Sequence, residues 1–249
     1  MIDNKKIYFA SDFHLGVPDH KSSREREDRI VAWLDHCAID ASEIFLVGDL
    51  FDFWFEHKYT IPKGFIRLQG KIAQLTDKGI QVHVFTGNHD MWMFDYLPNE
   101  LGVKMYREPI ERTWNGQKFY LGHGDGLGPG DKGYKFLKKL FANKFCQWLF
   151  ARLHPNFSFW LANTSSKKSR LHTASDDEKY LGDENEWLAI YCKEILKQKP
   201  IDYFIFGHRH LPIDIQLSST SRYINLGEWI NYNTYAVFDG QTTELKTWN

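Results

Sequence analysis

The chain has 249 residues, 43% apolar and 16% aromatic, with a net charge of −1. That length and core content exclude a disordered or low-complexity protein and suit one α/β domain with an elaboration. Cys37, Cys146 and Cys192 lie far apart without CxxC spacing, which excludes a disulfide framework or zinc knuckle and predicts a reducing compartment.

The N-terminal MIDNKKIYFASD has too short an apolar run for a signal peptide, and no stretch reaches the roughly 18 apolar residues of a membrane span, so a cytoplasmic protein is predicted. Lys6–Ala10 reads as a strand opening into SDFHLG. Ser23–Asp40 carries Ile30, Val31, Trp33 and Leu34 in a helical period. Glu43–Val47 is a strand opening into GDLFDFW, Lys63–Lys78 a helix closed by Gly79, and Gln81–Thr86 a strand opening into GNHD. This β–α–β alternation predicts a mostly parallel sheet covered by helices. Asn115-Gly116, between Ile110–Trp114 and Lys118–Leu121, signals a hairpin.

After HGDG the composition changes. Residues 131–170 hold nine Lys or Arg and one acid, Asp131, leaving the rest of the chain acidic. Nine aromatics lie between Tyr134 and Trp160. Leu137, Phe141, Phe145 and Trp148 recur on one helical face, and two helices broken near Pro155 are predicted. Glu184–Lys199 reads as a helix, Tyr203–Phe206 as a strand opening into GHRH, and Asp239-Gly240 as a second hairpin turn. With no repeat and no linker, residues 1–249 read as one domain, with 131–170 an inserted basic and aromatic cap.

Five motifs fall at predicted strand ends: Asp12-x-His14, Gly48-Asp49, Gly87-Asn88-His89-Asp90, His123-Gly124-Asp125 and Gly207-His208-x-His210. Open α/β sheets bind ligands at the carboxyl ends of their strands. Carboxylate, imidazole and amide oxygen without thiolate suit Mn²⁺, Fe²⁺ or Zn²⁺. Each motif alone is weak, and strand-end acids often only cap helices, which is the alternative reading of Asp90 ahead of a short helical run, Met91–Tyr96. Together, and in this order, they are specific.

On these residues the chain resembles the calcineurin-like metallophosphoesterase superfamily, whose pattern D-x-H…G-D…G-N-H-[DE]…H-G…G-H-x-H is matched in full. The resemblance implies an α/β fold, a β-sandwich of mixed sheets flanked by helices with an inserted helical cap. It implies one metal on Asp12, His14, Asp49 and His210, and a second on Asp49, Asn88, His123 and His208. Two divalent ions, Mn²⁺ foremost, would clamp a phosphoryl group and activate a water. His89 would face the developing charge or protonate the leaving group, with Asp49 and Asn88 in the same catalytic constellation and Asp90 orienting its neighbours.

GDLFDFW, HGDGLGPGDKGYKFL with the later ANTSSKKSR, and NLGEW at Asn225–Trp229 resemble, more narrowly, the UDP-2,3-diacylglucosamine diphosphatases of lipid A biosynthesis. That resemblance implies hydrolysis of an anionic nucleotide-lipid at the cytoplasmic face of the inner membrane, by a peripheral enzyme. Trp54, Tyr134, Asn163, Ser166, Lys167 and Arg170 would then meet substrate. An aromatic face flanked by lysines suits acyl chains and phosphates, or an anionic leaflet; it also suits packing the cap onto the domain. Those diphosphatases typically read GNRD where this chain has GNHD, and a histidine could also serve a poorer, alkoxide leaving group. A soluble phosphoester substrate and a non-enzymatic docking module are therefore the alternatives. The acidic remainder of the chain argues against a nucleic-acid partner.

Overall fold

The computed structural model describes residues 5–128, 132–162, 164, 180 and 182–249. Strand β1 (Lys6–Ala10) is buried on both sides, with Ile7 and Phe9 in one apolar cluster and Tyr8 and Ala10 in another. A strand covered on both faces needs a near-continuous apolar run, and β2, β3 and β7 have one as well.

In the first sheet β1, β2 (Ala41–Val47), β3 (Gln81–Phe85) and β4 (Lys104–Tyr106) are parallel. At its far side lie β10 (Thr234–Phe238), antiparallel to β1, and β11 (Thr243–Thr247). The second sheet orders β5 (Ile110–Trp114), β6 (Gln117–Gly122), β7 (Tyr203–Phe206), β9 (Arg222–Leu226) and β8 (Pro212–Gln216). Its three central strands are parallel and its two edges antiparallel. The predicted single, mostly parallel sheet is therefore two mixed sheets, as the family resemblance implied. Phe9, Phe45, Val47 and Phe85 meet Phe119, Leu121, Ile205 and Ile224 between them.

Helices close the outer faces. Helix α1 (His20–Cys37) starts earlier than its apolar period suggested, because the Asp19 carboxylate caps it by accepting from the N–H groups of Lys21 and Ser22. It packs with α2 (Ile66–Asp77) and α3 (Tyr96–Leu101) on the first sheet through Ile30, Trp33, Leu34, Leu68, Ile72 and Leu97. The chain after Asp90 is not helical until α3, so Asp90 caps no helix.

The basic, aromatic segment forms α4 (Lys132–Ala142), α5 (Lys144–Phe150) and a helical stretch at 155–162, α6. A further break thus falls at Asn143, whose side chain accepts from the N–H groups of Phe145 and Cys146 and starts a new helix. Phe141 and Phe145 therefore sit on different helices, not on one continuous stripe. Helix α7 (Trp187–Leu196) covers the second sheet through Leu188, Ala189 and Cys192. No helix among the described residues is long and apolar enough to cross a membrane.

Candidate functional site

Every motif singled out in the sequence stands just beyond a strand that is parallel to its neighbour: β1, β2 and β3 in the first sheet, β6 and β7 in the second. The loops are stitched together by backbone bonds, Asp12 N to Gly48 O at 3.0 Å, His14 N to Asp49 O at 3.0 Å and Gly207 N to His123 O at 2.9 Å. Asp12, His14, Asp49, His208 and His210 all adopt positive φ, between 43° and 68°. Side chains other than Asn and Asp rarely accept that conformation, and such strain gathers where a site must aim its groups. Nothing in the sequence announces it.

Two groups of donors result, sharing Asp49. Asp12, His14, Asp49 and His210 form one; Asp49, His123 and His208 form the other, with the donor atoms of each group within 4.8 Å of one another. The Nε2 atoms of His14 and His210 are 3.0 Å apart, and Asp12 Oδ1 lies 3.6 and 3.3 Å from them. On the other side His123 Nε2 is 3.3 Å from Asp49 Oδ2 and 3.2 Å from Asn88 Oδ1, which brings Asn88 in as well. Bonds of about 2.0–2.1 Å to a common ion would hold their donors about 3.0–3.4 Å apart.

The polar accounting favours a cation. Asp12 Oδ2 accepts from His208 N at 3.0 Å and Asp49 Oδ1 from His89 N at 2.9 Å, but the second oxygen of each carboxylate, Asp12 Oδ1 and Asp49 Oδ2, is buried and accepts no hydrogen bond. Buried polar atoms are ordinarily paired. His123 Nδ1 donates to the Val47 carbonyl at 2.8 Å, so its Nε2 lone pair faces oxygens unless a second proton or a metal sits between them. The residues present fit a pair of divalent ions.

A calcineurin-like phosphoesterase family model matches residues 5–212, which span all five motifs. The chain belongs to that family. It is 41% identical to the UDP-2,3-diacylglucosamine hydrolase of Porphyromonas gingivalis over 97% of each chain. It is also 26% identical to the hydrolases of that name from Vibrio atlanticus, over 97% of this chain and 96% of that one, and Histophilus somni, over 90% and 92%. As a calcineurin-like phosphoesterase it is a metal-dependent hydrolase of phosphoesters.

The electrostatics of this phosphoesterase site are uneven. Burial pushes His14 down to about 3 and His208 down to about 4, so both are neutral imidazoles at neutral pH. Burial also opposes charge on His123, yet the adjacent Asp49 lifts it to about 10. Asp49 is held well below the usual carboxylate range; burial pushes the other way, but His123 and His89 prevail. A metal bound through His123 Nε2 would have to displace that proton, so apparent affinity for a divalent ion such as Mn²⁺ is expected to rise with pH between about 6 and 9, up to about tenfold per unit for each proton displaced. Calorimetry in two buffers of different ionisation enthalpy reads the released protons directly; a pH-independent affinity would contradict this assignment.

Around the donors stands a supporting frame, only partly legible beforehand. Asp90 accepts from Leu50 N and Gly87 N, each at 2.8 Å, tying the Asp49 loop to the Asn88 loop. Burial, then the charge of Asp49, raises it to about 7. Asp52, three residues beyond Asp49, was not singled out in the sequence, although it lies within GDLFDFW. Its carbonyl oxygen is 3.0 Å from His89 Nδ1, which donates to it, and its carboxylate lies 3.8 Å from His14 Nδ1. Arg26 from α1 donates to the carbonyl of His14 at 2.7 Å. Arg209, between the two histidines of GHRH, is buried and donates from Nε to both carboxylate oxygens of Glu186 at 3.1 Å. NLGEW proves structural in its contacts: Trp229 N donates to Asp12 O at 3.2 Å and the Asn225 amide donates to Gly207 O.

Trp54, expected to meet substrate, is fully buried, stacked on Phe51 at 4.3 Å with its N–H on Glu56 at 3.1 Å, and so takes a core position in this structure. Tyr134 does stand beside the donors, its ring 6.4 Å from that of His208. Asn163, Ser166, Lys167 and Arg170 lie outside the described residues.

The cap's aromatics divide. Phe150 packs on Phe55 and Trp92, and Phe159 on Phe53, fastening it to the domain. Phe136, Phe145 and Trp160 are 60–67% exposed, with Leu137, Leu140, Trp148 and Phe157 also open. Between core and cap lies a cavity of about 510 Å³, lined by Leu15, Asp52, Phe53, Ile61, Phe65 and Phe159 among others.

Proposed function

We propose that the chain hydrolyses UDP-2,3-diacylglucosamine at its diphosphate, yielding UMP and 2,3-diacylglucosamine 1-phosphate. The observation that carries this reading is the 41% identity, over 97% of both chains, to a UDP-2,3-diacylglucosamine hydrolase. The cavity supports it: it opens beside Asp52, has mainly apolar walls and falls within the range of about 300–1,000 Å³ typical of ligand sites. Exposed cap aromatics interleaved with Lys135, Lys139, Lys144 and Arg152 suit a peripheral enzyme working at an anionic inner-membrane surface from the cytoplasm.

In this reading Asp12, His14, Asp49 and His210 hold one ion, and Asp49, Asn88, His123 and His208 the other, with manganese the native pair. When bound, the ions supply Lewis-acid polarisation of the phosphoryl oxygens and water activation near neutral pH. The chain's own residues do the rest. Asp49 spans both donor groups and fixes their separation. His89, tethered through Nδ1 to the Asp52 carbonyl, meets charge developing on the phosphoryl group. A sugar 1-phosphate leaves readily, so His89 need only bind charge here, which is why histidine can stand where the diphosphatases typically carry arginine. Residues 131–170 act as the cap over substrate, and Tyr134 with Asn163, Ser166, Lys167 and Arg170 contacts it.

The test is turnover of UDP-2,3-diacylglucosamine by metal-stripped protein, with and without Mn²⁺. UMP and the lipid monophosphate are expected only with metal. Cleavage of bis(p-nitrophenyl) phosphate without any cleavage of the UDP-lipid would overturn the substrate and favour a soluble phosphoester.

A further inference from the structure

We propose that Asp125 is a positioning residue: through Tyr134 and Lys138 it latches the cap to the metal-site loop and so sets the space available to an acylated substrate. The choice of substrate rests on the function proposed above; the latch itself does not.

Asp125 follows His123 by two residues and is 6% exposed. Its Oδ2 accepts from the Tyr134 hydroxyl at 2.6 Å and pairs with Lys138 Nζ at 2.7 Å. Lys138 Nζ also donates to the Asp125 carbonyl at 3.1 Å, and Lys135 Nζ donates to the carbonyl of Gly128 at 2.5 Å. Tyr134 and Lys138 are four residues apart on α4, so their side chains share one face of the helix. One buried carboxylate thus gathers a full turn of α4.

The cap's other attachments are of a different kind. Trp92 packs on Phe141 and Phe150, and Phe53 on Phe150 and Phe159, with one directional bond among the described residues, from Trp92 Nε1 to the Phe141 carbonyl at 2.9 Å. Apolar contact is non-directional, so it holds the cap against the core without choosing where along that surface it rests. Charge-assisted bonds to a buried carboxylate are short and geometrically strict. With the Trp92 bond at Phe141, near the C-terminal end of α4, they determine where that helix stands.

Two consequences follow from position. On one side of the latch is His123, whose carbonyl accepts from Gly207 N, so the loop cannot shift without disturbing the GHRH turn. On the other side α4 is followed by α5 and α6, and Pro155, Asn156 and Phe159 of α6 form the cap wall of the 510 Å³ cavity. Cap placement and cavity width are one variable, read out at Asp125.

The experiment uses the full chain loaded with Mn²⁺, comparing wild type with Lys138→Met and Lys138→Arg. Hydrogen exchange is followed in peptides covering 132–142, alongside kcat and KM for UDP-2,3-diacylglucosamine, kcat/KM for bis(p-nitrophenyl) phosphate, and Mn²⁺ affinity by calorimetry. Losing a charge-assisted bond is expected to speed exchange in 132–142 and raise the lipid KM by about tenfold each. The small diester and Mn²⁺ affinity should stay within about twofold, since the donor groups keep their own bonds, and Lys138→Arg should recover most of the loss. Unchanged exchange, or a fall on the small diester in step with the lipid, overturns the latch. Wild type that cleaves the diester but never the UDP-lipid overturns the substrate instead, and exchange in 132–142 still decides the latch.

Discussion

Asp49→Asn is expected to lower turnover by at least about a thousandfold, more than the loss of a single oxyanion-hole donor commonly costs. The substitution is nearly isosteric. The remaining amide oxygen can keep accepting from His89 N, as Oδ1 now does at 2.9 Å. What changes is Oδ2, which lies 3.3 Å from His123 Nε2 and 3.9 Å from His14 Nε2 and belongs to both donor groups. An NH₂ there turns a shared anionic ligand into a donor. The fold should survive, because Asp90 nearby is raised to about 7 by burial and then by the charge of Asp49, and losing that charge relieves it. Thermal unfolding with and without Mn²⁺ separates these effects. A ligand at a hundred times its Kd stabilises by about 2.7 kcal/mol, and most of that gain should vanish in the variant while the stability without added metal holds. Two Mn²⁺ bound and activity within tenfold of wild type would remove Asp49 from the centre of the mechanism.

Gly87→Ala is expected to be strongly damaging for a single added methyl. A Cβ at Gly87 would lie 2.2 Å from Asp49 Oδ1 and 2.6 Å from the Asp49 backbone nitrogen. Neither can retreat: the carboxylate is bonded to His89 N, and Asp49 already sits at φ 52°. Gly207→Ala repeats the problem on the other side of the site, 2.5 Å from Asp12 Oδ2 and 2.6 Å from Ser11 Oγ. Overpacking of this sort costs about 1–3 kcal/mol, and here it also displaces a proposed ligand. Loss of both stability and Mn²⁺ binding is therefore expected. Gly70 is the control, since it lies within α2 with nothing within 4 Å of an added Cβ. Alanine there should stabilise by about 0.5–1 kcal/mol through helix propensity. Melting curves and Mn²⁺ titrations of the three variants decide the matter, and a Gly87→Ala protein that binds metal like wild type would contradict the crowding argument.

Family membership makes the non-enzymatic docking module an unneeded reading; the buried oxygens of Asp12 and Asp49 that accept no hydrogen bond point to a metal, which such a module would hold as well. The exposed aromatics remain a real feature, yet they lie on the cap and not at the donor groups.

What the sequence determined by itself is what local chain chemistry controls. Mainly apolar runs of four to seven residues stop within one residue of Gly or Asp, so β1, β2, β3 and β7 could be read, and with them the Asp, Asn and His residues that follow. Asn115-Gly116 turned where expected because both residues accept positive φ. Tertiary structure decided the rest, since those choices depend on partners distant in the chain. A continuous apolar run shows that β1 has two buried faces but not that one of them meets a second sheet. Trp54 could have been a surface ring or a core ring until Phe51 and Glu56 closed around it. Asn143 breaks a helix whose apolar period runs through it, because a local cap outcompetes one more turn. The roles of Asp52, Asp125 and Arg209 follow from what stands opposite them: His89, Lys138 and Glu186 are 37, 13 and 23 residues away. Periodicity and composition are properties of neighbours along the chain, whereas orientation and partnership are properties of neighbours in space.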